Sequence, residues 1–261
     1  YGLITEPWVT VVCLDGEEAA VGLREVLTKA HQFRKVRHPL PTVEFGLYRL
    51  LVVLVLDIFF LTADRERNTR NLKELLREGR FDPAVIDAYF EKYADRFDLF
   101  SEKYPFLQDT TASGEDKPVA NLLPSQPSGT NTTHFQHGHE GEFSLTPAEA
   151  AQILTTIAPF MTAGGAGLSP SLNGAPPIYV LLTDDLLFET LCRNLCALDM
   201  PLATGEGDAP AWRWDRAIGG ERTRAGYAES LTWTPRRIRL MPGDLIRTMK
   251  FAPGDSVRLG E

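Results

Sequence analysis

The pattern of apolar positions predicts a helix-rich first half of the chain. Residues 42–61, TVEFGLYRLLVVLVLDIFFL, form the longest apolar run, and Arg49 and Asp57 interrupt it. A membrane-spanning helix needs about 20 apolar residues with few or no charges. We therefore interpret this run as a helix buried in the protein core on nearly all sides. Apolar residues at helical spacing predict another helix over 21–33.

Local end signals predict three more helices. Residues 69–79 form a short amphipathic pattern that ends at Gly79, a residue suited to closing a helix. Asp82 precedes a proline and an apolar periodic stretch, so we expect it to cap the next helix. In LTPAEAAQIL, Thr146 and Glu149 have the spacing of a capping box.

The second half of the chain contains patterns typical of strands. PIYVLL (177–182) predicts a buried strand, followed by a helix with Thr183 as its N-cap. ESLTWTP (229–235) and RRIRLMP (236–242) alternate with period two and predict a pair of strands. Helices first and strands later favour an α+β fold. We expect a large mixed globular domain with a long core helix, several amphipathic helices and short antiparallel strands.

Two polar segments separate these elements. Residues 108–143 are rich in Gly, Ser, Thr, Asn and Pro, and residues 162–177 contain four glycines. Loops of this length within a domain are usually functional or disordered. The first contains His134, His137 and His139, for which the residues alone leave three interpretations open: a metal site with a nearby glutamate, contact with a ligand, or a polar connector.

Charge and composition narrow the classes of protein. The net charge of −8 argues against a wholly basic nucleic-acid coat. Residues 213–250 nevertheless hold nine basic and four acidic residues, a net of +5, which hints at an anionic partner on one face. Three cysteines make no disulfide framework and the first residues lack signal-peptide features, so we expect an intracellular protein. Phosphate-loop, nucleophile-elbow and metalloprotease motifs are missing from the sequence, so no motif in it indicates catalysis or a cofactor.

Six segments carry a resemblance to a known family. They are LITEPWVTVVCLDGEEAAVGLREVL (3–27), RFDLFSEKYPFLQD (96–109), PVANLLPSQPSGTNTTHFQH (118–137), LTPAEAAQIL (145–154), LLFETLCRNL (186–195) and YAESLTWTPRRIRL (227–240). In this order they resemble the CasA family, the large subunit of the type I-E CRISPR surveillance complex known as Cascade.

The resemblance implies a non-catalytic, cytoplasmic subunit with no membrane contact. It would recognise the protospacer-adjacent motif on target double-stranded DNA, help start duplex opening and help recruit a helicase-nuclease. Its partners would be other Cascade subunits, guide RNA, the target duplex and that helicase-nuclease. Residues 1–261 would form the family's large N-terminal domain without its C-terminal helical bundle. Many relatives carry a cysteine-rich insertion near 242–246, where this chain runs directly from PGD into LIRTMKF.

The resemblance also implies contact residues. In the family, a glycine-rich loop and a lysine approach the narrow minor groove, and an aromatic-bearing long loop reaches towards the guide end and the motif. The residues implied are Asn131, Phe135, Gln136 and His137 in the long loop, Gly164, Gly165 and Gly167 in the glycine-rich loop, and Lys250. With the resemblance, ligand or subunit contact is favoured over a metal site at the histidines.

Two alternatives remain for the function. One is a purely architectural subunit whose loops bind only neighbouring proteins. The other is a metal-dependent hydrolase built on the three histidines. Salt-sensitive duplex binding separates the first from a DNA-reading subunit, because phosphate contacts release counterions. Stoichiometric zinc in the purified protein would favour the second.

Overall fold

The computed structural model describes residues 1–61, 73–123, 143–161, 168–170, 172, 178–195, 208–216 and 218–257. These residues form an α+β fold, as the sequence predicts. The helices are α1 (Leu23–Thr28), α2 (Pro41–Leu56), α3 (Pro83–Lys92), α4 (Pro147–Leu154), α5 (Ile157–Phe160), α6 (Leu187–Arg193) and α7 (Tyr227–Leu231), and residues 73–78 are also helical. The strands are β1 (Val9–Cys13), β2 (Glu18–Val21), β3 (Phe33–Val36), β4 (Lys117–Pro118), β5 (Gly220–Arg222), β6 (Arg236–Leu240), β7 (Thr248–Pro253) and β8 (Asp255–Val257).

Helix α2 is the centre of the core. Pro41 stands in its first turn, every residue from Leu50 to Leu56 is buried, and a buried π-helical turn, Asp57–Leu61, continues it. The prediction of a core helix over 42–61 is therefore confirmed. Within the described residues, no helix has both the length and the apolar character to cross a membrane.

Three small sheets flank the helices. The first has the order β2-β1-β3 and is antiparallel, with a turn between β1 and β2 at Gly16, whose φ is +94°. The second, also antiparallel, has the order β4-β7-β6. The third pairs β5 with β8 in parallel, beside the two antiparallel sheets that the sequence predicts.

The local end signals hold in the structure. Gly79 ends its helix with a φ of +67°, a conformation that favours glycine. The carboxylate of Asp82 accepts a hydrogen bond from the Ala84 N–H at 2.9 Å. The Thr146 hydroxyl accepts from the Glu149 N–H while the Glu149 carboxylate accepts from the Thr146 N–H at 2.8 Å. Each signal is confirmed because it depends only on neighbours in sequence.

The prediction of a helix over 21–33 is only partly correct. Helix α1 ends at Thr28, a short 3₁₀ turn follows, and Phe33 begins strand β3. Phe33 pairs with Cys13 across β1. The apolar side chain of Phe33 fits the helical period, but its burial is satisfied in the sheet instead.

Two strand predictions are wrong. ESLTWTP (229–235) begins inside α7, whose first N–H groups are bound by the carboxylate of Asp208 at 3.0 and 3.1 Å. This carboxylate lies about 20 residues upstream, beyond the reach of pattern reasoning. RRIRLMP does contain strand β6, but its partner is β7.

The segment PIYVLL (177–182) forms no strand in its described residues. Helix α6 begins after Leu186, so Thr183 is not its N-cap as the sequence predicts.

The segment PFLQ of the family resemblance covers the free edge of β6. The side-chain amide of Gln108 donates to Leu99 O at 2.7 Å, and its oxygen accepts from the Leu240 N–H at 2.7 Å. Asp109 donates its own N–H to Ile238 O at 2.8 Å. These bonds satisfy edge groups that would otherwise be buried without partners.

We predict that Gln108→Leu destabilises the protein by roughly 1–3 kcal/mol, because it leaves the buried Leu240 N–H without an acceptor. Urea unfolding followed by circular dichroism measures the change. Gln32→Leu, at an exposed position, serves as the control and should stay within about 0.5 kcal/mol of wild type. Equal stability of both variants would show that the Gln108 bonds do not hold the edge of β6.

Candidate nucleic-acid interface

The β4-β7-β6 sheet carries Lys250. Lys250 lies opposite Arg239 of β6, whereas Met249 lies opposite Leu240 and is buried with it. Because side chains alternate along a strand, Lys250 and Arg239 share the outer face of the sheet. The sheet thus presents basic residues on one face and apolar residues to the core.

The described residues on either side of 124–142, in and just after the long polar segment, attach beside β7. Before residue 124, Val119 donates its N–H to Arg247 O at 2.8 Å. After residue 142, Leu145 and Ile246 exchange two backbone hydrogen bonds of 2.9 and 2.7 Å. Val119 and Leu145 are therefore bonded to two consecutive residues, Arg247 and Ile246, which directly precede the strand that holds Lys250.

A described residue of the glycine-rich segment is bonded to the same sheet. The Arg236 guanidinium donates to the carbonyl oxygen of Ser169, which lies within that segment. Arg236 is buried and is the first residue of β6, and burial lowers its pKa to about 10. Just before the segment, the ring of Phe160 packs edge-on against Phe45 and Tyr179.

The ammonium group of Lys250 is held close to the sheet. It lies 2.6 Å from a carboxylate oxygen of Asp116 and donates to Gly114 O at 2.9 Å. The side chains of Lys250 and Asp116 are 31% and 50% exposed. This is a surface ion pair, which typically contributes no more than about 1 kcal/mol.

Most of the basic residues between 213 and 250 have partners inside the fold. Their groups bind buried carboxylates or backbone carbonyls rather than facing solvent alone. The pairs are Arg213 with Asp57, Arg216 with Asp255 and Glu229, Arg222 with Glu229, Arg237 with Pro253 O, and Arg239 with Ser101 O. The excess of +5 read from the sequence therefore overstates the charge available to an anionic partner.

The pair of Arg213 and Asp57 is the most deeply buried of these. Asp57 is fully buried, and its carboxylate lies 2.5 Å from both the Arg213 guanidinium and the Tyr89 hydroxyl. Trp212 donates its indole N–H to the same hydroxyl at 2.9 Å. Burial raises the pKa of Asp57, and the Tyr89 hydrogen bond and the charge of Arg213 oppose that shift.

Of the site residues implied by sequence, the structure describes Lys250. The others lie outside the described residues: Asn131, Phe135, Gln136, His137, Gly164, Gly165 and Gly167. His134 and His139 lie outside them too. Among the residues that are described, no group of three or more His, Cys, Asp or Glu side chains is placed to hold a metal ion.

Sequence reasoning missed two residues that organise this region. Arg236 and Gln108 fix the glycine-rich segment and the edge of β6, respectively. Both lie within segments that carry the family resemblance, 227–240 and 96–109. Their position within these segments was a signal that the sequence offered. Their roles, however, depend on contacts with residues 67 and 132 positions away in the sequence.

Comparisons with known proteins agree with this fold. The family model described as CRISPR-associated protein Cse1 matches residues 2–258. The protein CasA/Cse1 of Thermus thermophilus is 33% identical over 97% of this chain, which covers 52% of that protein. The chain thus spans about half the length of the curated relative that it matches.

Solved structures resemble the chain over nearly its whole length. The crystal structure of Thermobifida fusca Cse1 matches with a TM-score of 0.82 and 27% identity, covering 99% of this chain and 52% of that one. A chain in the structure titled "CRISPR RNA-guided surveillance complex, pre-nicking" matches with a TM-score of 0.77 over 99% of this chain and 56% of its own. At 23% identity the latter match establishes a shared fold.

We predict that Arg213→Met lowers stability by about 3 kcal/mol, because it leaves the buried Asp57 carboxylate without its cation. We choose the lower end of the usual range because the Arg213 side chain is 22% exposed. Thermal and urea unfolding measure the effect. The matched control is Arg224→Met, at an exposed residue, which should change stability by less than about 0.5 kcal/mol. If both variants unfold like wild type, the pair is not structural.

Proposed function

The chain belongs to the CRISPR-associated protein Cse1 family, and from that premise we propose that it is a subunit of an RNA-guided surveillance complex. In that complex it recognises the protospacer-adjacent motif on target double-stranded DNA, helps start duplex opening and helps recruit the helicase-nuclease. It is non-catalytic and cytoplasmic, and residues 1–261 form the large N-terminal domain. Its partners are the other Cascade subunits, guide RNA and the target duplex.

One observation carries this proposal. The resemblance implies that the long polar segment, the glycine-rich segment and Lys250 are separate contact elements. Described residues beside or within both segments (Val119, Leu145 and Ser169) bond to the β4-β7-β6 sheet or directly before β7, and Lys250 lies in that sheet. A motif of a few base pairs needs several contacts within a short span, and one rigid sheet provides a common base for them. Glycines suit a backbone that enters a minor groove about 6 Å wide, because they carry no side chains.

The ion pair of Lys250 is compatible with DNA contact. Since the pair with Asp116 is exposed and contributes little, an acceptor on a base edge or a phosphate can replace the carboxylate at small cost. Once the duplex excludes water, the new hydrogen bond is worth more than the surface pair. Asp116 and the carbonyl oxygen of Gly114 also hold the ammonium group in place before DNA arrives.

The acidic balance of the chain fits a subunit that reads a short motif. In RNA-guided complexes, base pairing with the guide reads the sequence, and protein reads the adjacent motif and the backbone. Neighbouring subunits then supply most of the phosphate neutralisation. A subunit of this kind needs a few well-placed contacts rather than a broad basic face, in accordance with the internal pairing of its arginines.

We predict that Phe135→Ala combined with Gly165→Val abolishes discrimination between duplexes with and without the adjacent motif. The assay is duplex binding by a reconstituted guide–protein complex that contains this subunit, with assembly verified by size-exclusion chromatography. The aromatic contact and the close backbone approach are both lost in this variant. Undiminished discrimination, with assembly intact, would instead support a purely architectural subunit.

We predict that Lys250→Met weakens motif-dependent binding about tenfold, the equivalent of one charge-assisted hydrogen bond of roughly 1.5 kcal/mol. It should also reduce the salt dependence of binding by about one counterion. Lys35→Met removes an exposed lysine from β3, outside the β4-β7-β6 sheet, and should leave the affinity within about twofold. Equal effects of both substitutions would mean that Lys250 contributes only general charge.

A further inference from the structure

A cleft of about 280 Å³ lies beside the edge of β6 that Gln108 covers. Its apolar lining consists of Leu107, Trp212 and Ile218, and three threonines add hydroxyl groups. Gln108 lines the cleft as well and links it to the sheet through the Leu240 N–H. The cleft thus combines apolar surface, which suits a flat ring, with hydroxyl groups that suit the polar edge of that ring.

Two stacked pairs, each of an arginine and an aromatic residue, line the cleft. The guanidinium carbon of Arg96 lies 3.4 Å from the ring centroid of Tyr104. That of Arg216 lies 3.8 Å from the ring centroid of Trp214. Arg96 joins the two pairs, because it donates to the Trp214 carbonyl oxygen at 3.1 Å. Carboxylates hold both guanidinium groups at 2.7 and 2.8 Å, so little side-chain entropy is lost when a flat ligand binds against them.

The charge of the cleft suits an anionic group. The charged residues that line it are three cations and two carboxylates: Arg96, Lys103, Arg216, Asp109 and Asp215. Both arginines are paired, whereas Lys103 is exposed and forms no ion pair within the described part of the chain. Its ammonium group lies 4.7 Å from the ring centroid of Tyr104. A cation is therefore available to an anion directly beside one of the stacked pairs.

The backbone that lines the cleft is strained at Leu107. Its φ is +52°, and among the described residues it is the only one other than glycine with a positive φ. Leucine is disfavoured in this region because its Cβ comes too close to a neighbouring carbonyl oxygen. Strained conformations of this kind concentrate at ligand-binding sites. Leu107 thus supplies a second observation, separate from the side-chain chemistry, that supports a binding role.

We propose that the cleft binds one unpaired nucleotide of a single strand of nucleic acid. The base stacks on the arginine–aromatic pairs, the threonine hydroxyls contact its edge, and a phosphate lies beside Lys103. Proteins hold single strands by these features: aromatic stacking, cation–π contact with arginine and basic groups along the backbone. The inference rests on the proposed function, because guide RNA and opened target DNA are the two sources of such a nucleotide.

The position of the cleft favours a nucleotide over an acidic peptide with an aromatic residue. Thr111, which lines the cleft, accepts a hydrogen bond from Arg237 of β6 at 3.2 Å. Strand β6 pairs with β7, which contains Lys250. The cleft therefore borders the sheet that we propose to face the adjacent motif, where duplex opening releases unpaired nucleotides. A paired base does not fit, because stacking inside a duplex covers both of its faces.

Binding of labelled single strands to the full-length protein, followed by fluorescence anisotropy, tests this inference. The probes are a short adenine strand and an abasic strand of equal length, which carries the same phosphates without bases. We expect the adenine strand to bind about tenfold more tightly, which lies within the range for one stacked base. Equal affinities would show attraction by charge alone and would overturn the proposal.

Two variants of the cleft have matched controls at the end of α3. Tyr104→Leu should remove the preference for the adenine strand, and Lys103→Met should lower the salt dependence of binding by about one counterion. The controls are Tyr93→Leu and Lys92→Met, because Lys92 lies 5.0 Å from the ring centroid of Tyr93 in a similar pair outside the cleft. Both controls should keep the affinity within about twofold.

Circular dichroism checks that each variant folds. Lys103 is exposed, so Lys103→Met tests the cleft even if Tyr104→Leu does not fold. Equal effects of the cleft variants and their controls would overturn the proposal, because they would place the single strand elsewhere on the protein.

Lysine acetylation in the assembled complex identifies the source of the nucleotide. Lys103 is compared with Lys92 as the internal reference, first with guide RNA alone and then with the target duplex added. We expect the bound nucleotide to slow acetylation of Lys103 about tenfold, and ultraviolet light to crosslink a nucleotide to the peptide that contains Trp214. Protection with guide RNA alone would assign the nucleotide to the guide, and protection only with the target would assign it to DNA.

The remaining outcomes separate this inference from the proposed function. Lys103 that stays reactive in both states would overturn the inference, and motif discrimination by that same complex would leave the proposed function standing. Protection without a nucleotide crosslink would mean that a protein segment fills the cleft, which also overturns the inference. Protection and a crosslink in a complex that does not discriminate the motif would overturn motif recognition alone.

Discussion

The structure depends on two charged residues, Arg49 and Asp57, within a largely apolar buried helix. Helix α2 contains Arg49, and the π-helical turn that continues it contains Asp57; neither is tolerated in a core without partners. Arg49 donates to the carbonyl oxygens of Leu231 and Ser230 at 2.7 and 3.1 Å, at the end of α7. Asp57 binds Arg213. These contacts span 156 to 182 residues of sequence and join the first quarter of the chain to the last.

This constraint positions the candidate interface. Helix α7, which Arg49 holds by its C-terminal carbonyls, is followed after four residues by β6. Strand β6 in turn pairs with β7, and Gln108 closes its outer edge. The positions of Lys250, Val119 and Leu145 are thus set by a series of contacts that starts in the core. Arginines that looked available to an anionic partner are instead the cations that this arrangement requires.

The sequence predicts best where a feature depends on near neighbours. The capping box of Thr146 and Glu149, the cap at Asp82 and the apolar run of α2 are all confirmed. It fails where a distant partner decides, as at residues 229–235, where the carboxylate of Asp208 favours a helix over the predicted strand. At 177–182 the sequence pattern predicts a strand, and the described residues 178–182 do not form one.

For the candidate site, the residues were implied in advance, but their arrangement in the fold was not. The resemblance to a family supplied Lys250 and the two polar segments, whereas no local pattern indicates that they attach to one sheet. That convergence depends on pairings such as Leu145 with Ile246 and Arg236 with Ser169. It also explains why Arg236 was overlooked, since a buried arginine in a strand has no signature in a single sequence.

The central claim, that this sheet faces the adjacent motif, is tested most directly by photocrosslinking. A photoreactive side chain would replace Lys250 in the assembled guide complex, and a second protein would carry it in place of Lys35 as the control. The account predicts crosslinks from position 250 to nucleotides in or next to the motif, lost when the motif is removed, and none from position 35. Crosslinks from position 250 only to protein, or equally to duplexes without the motif, would contradict it.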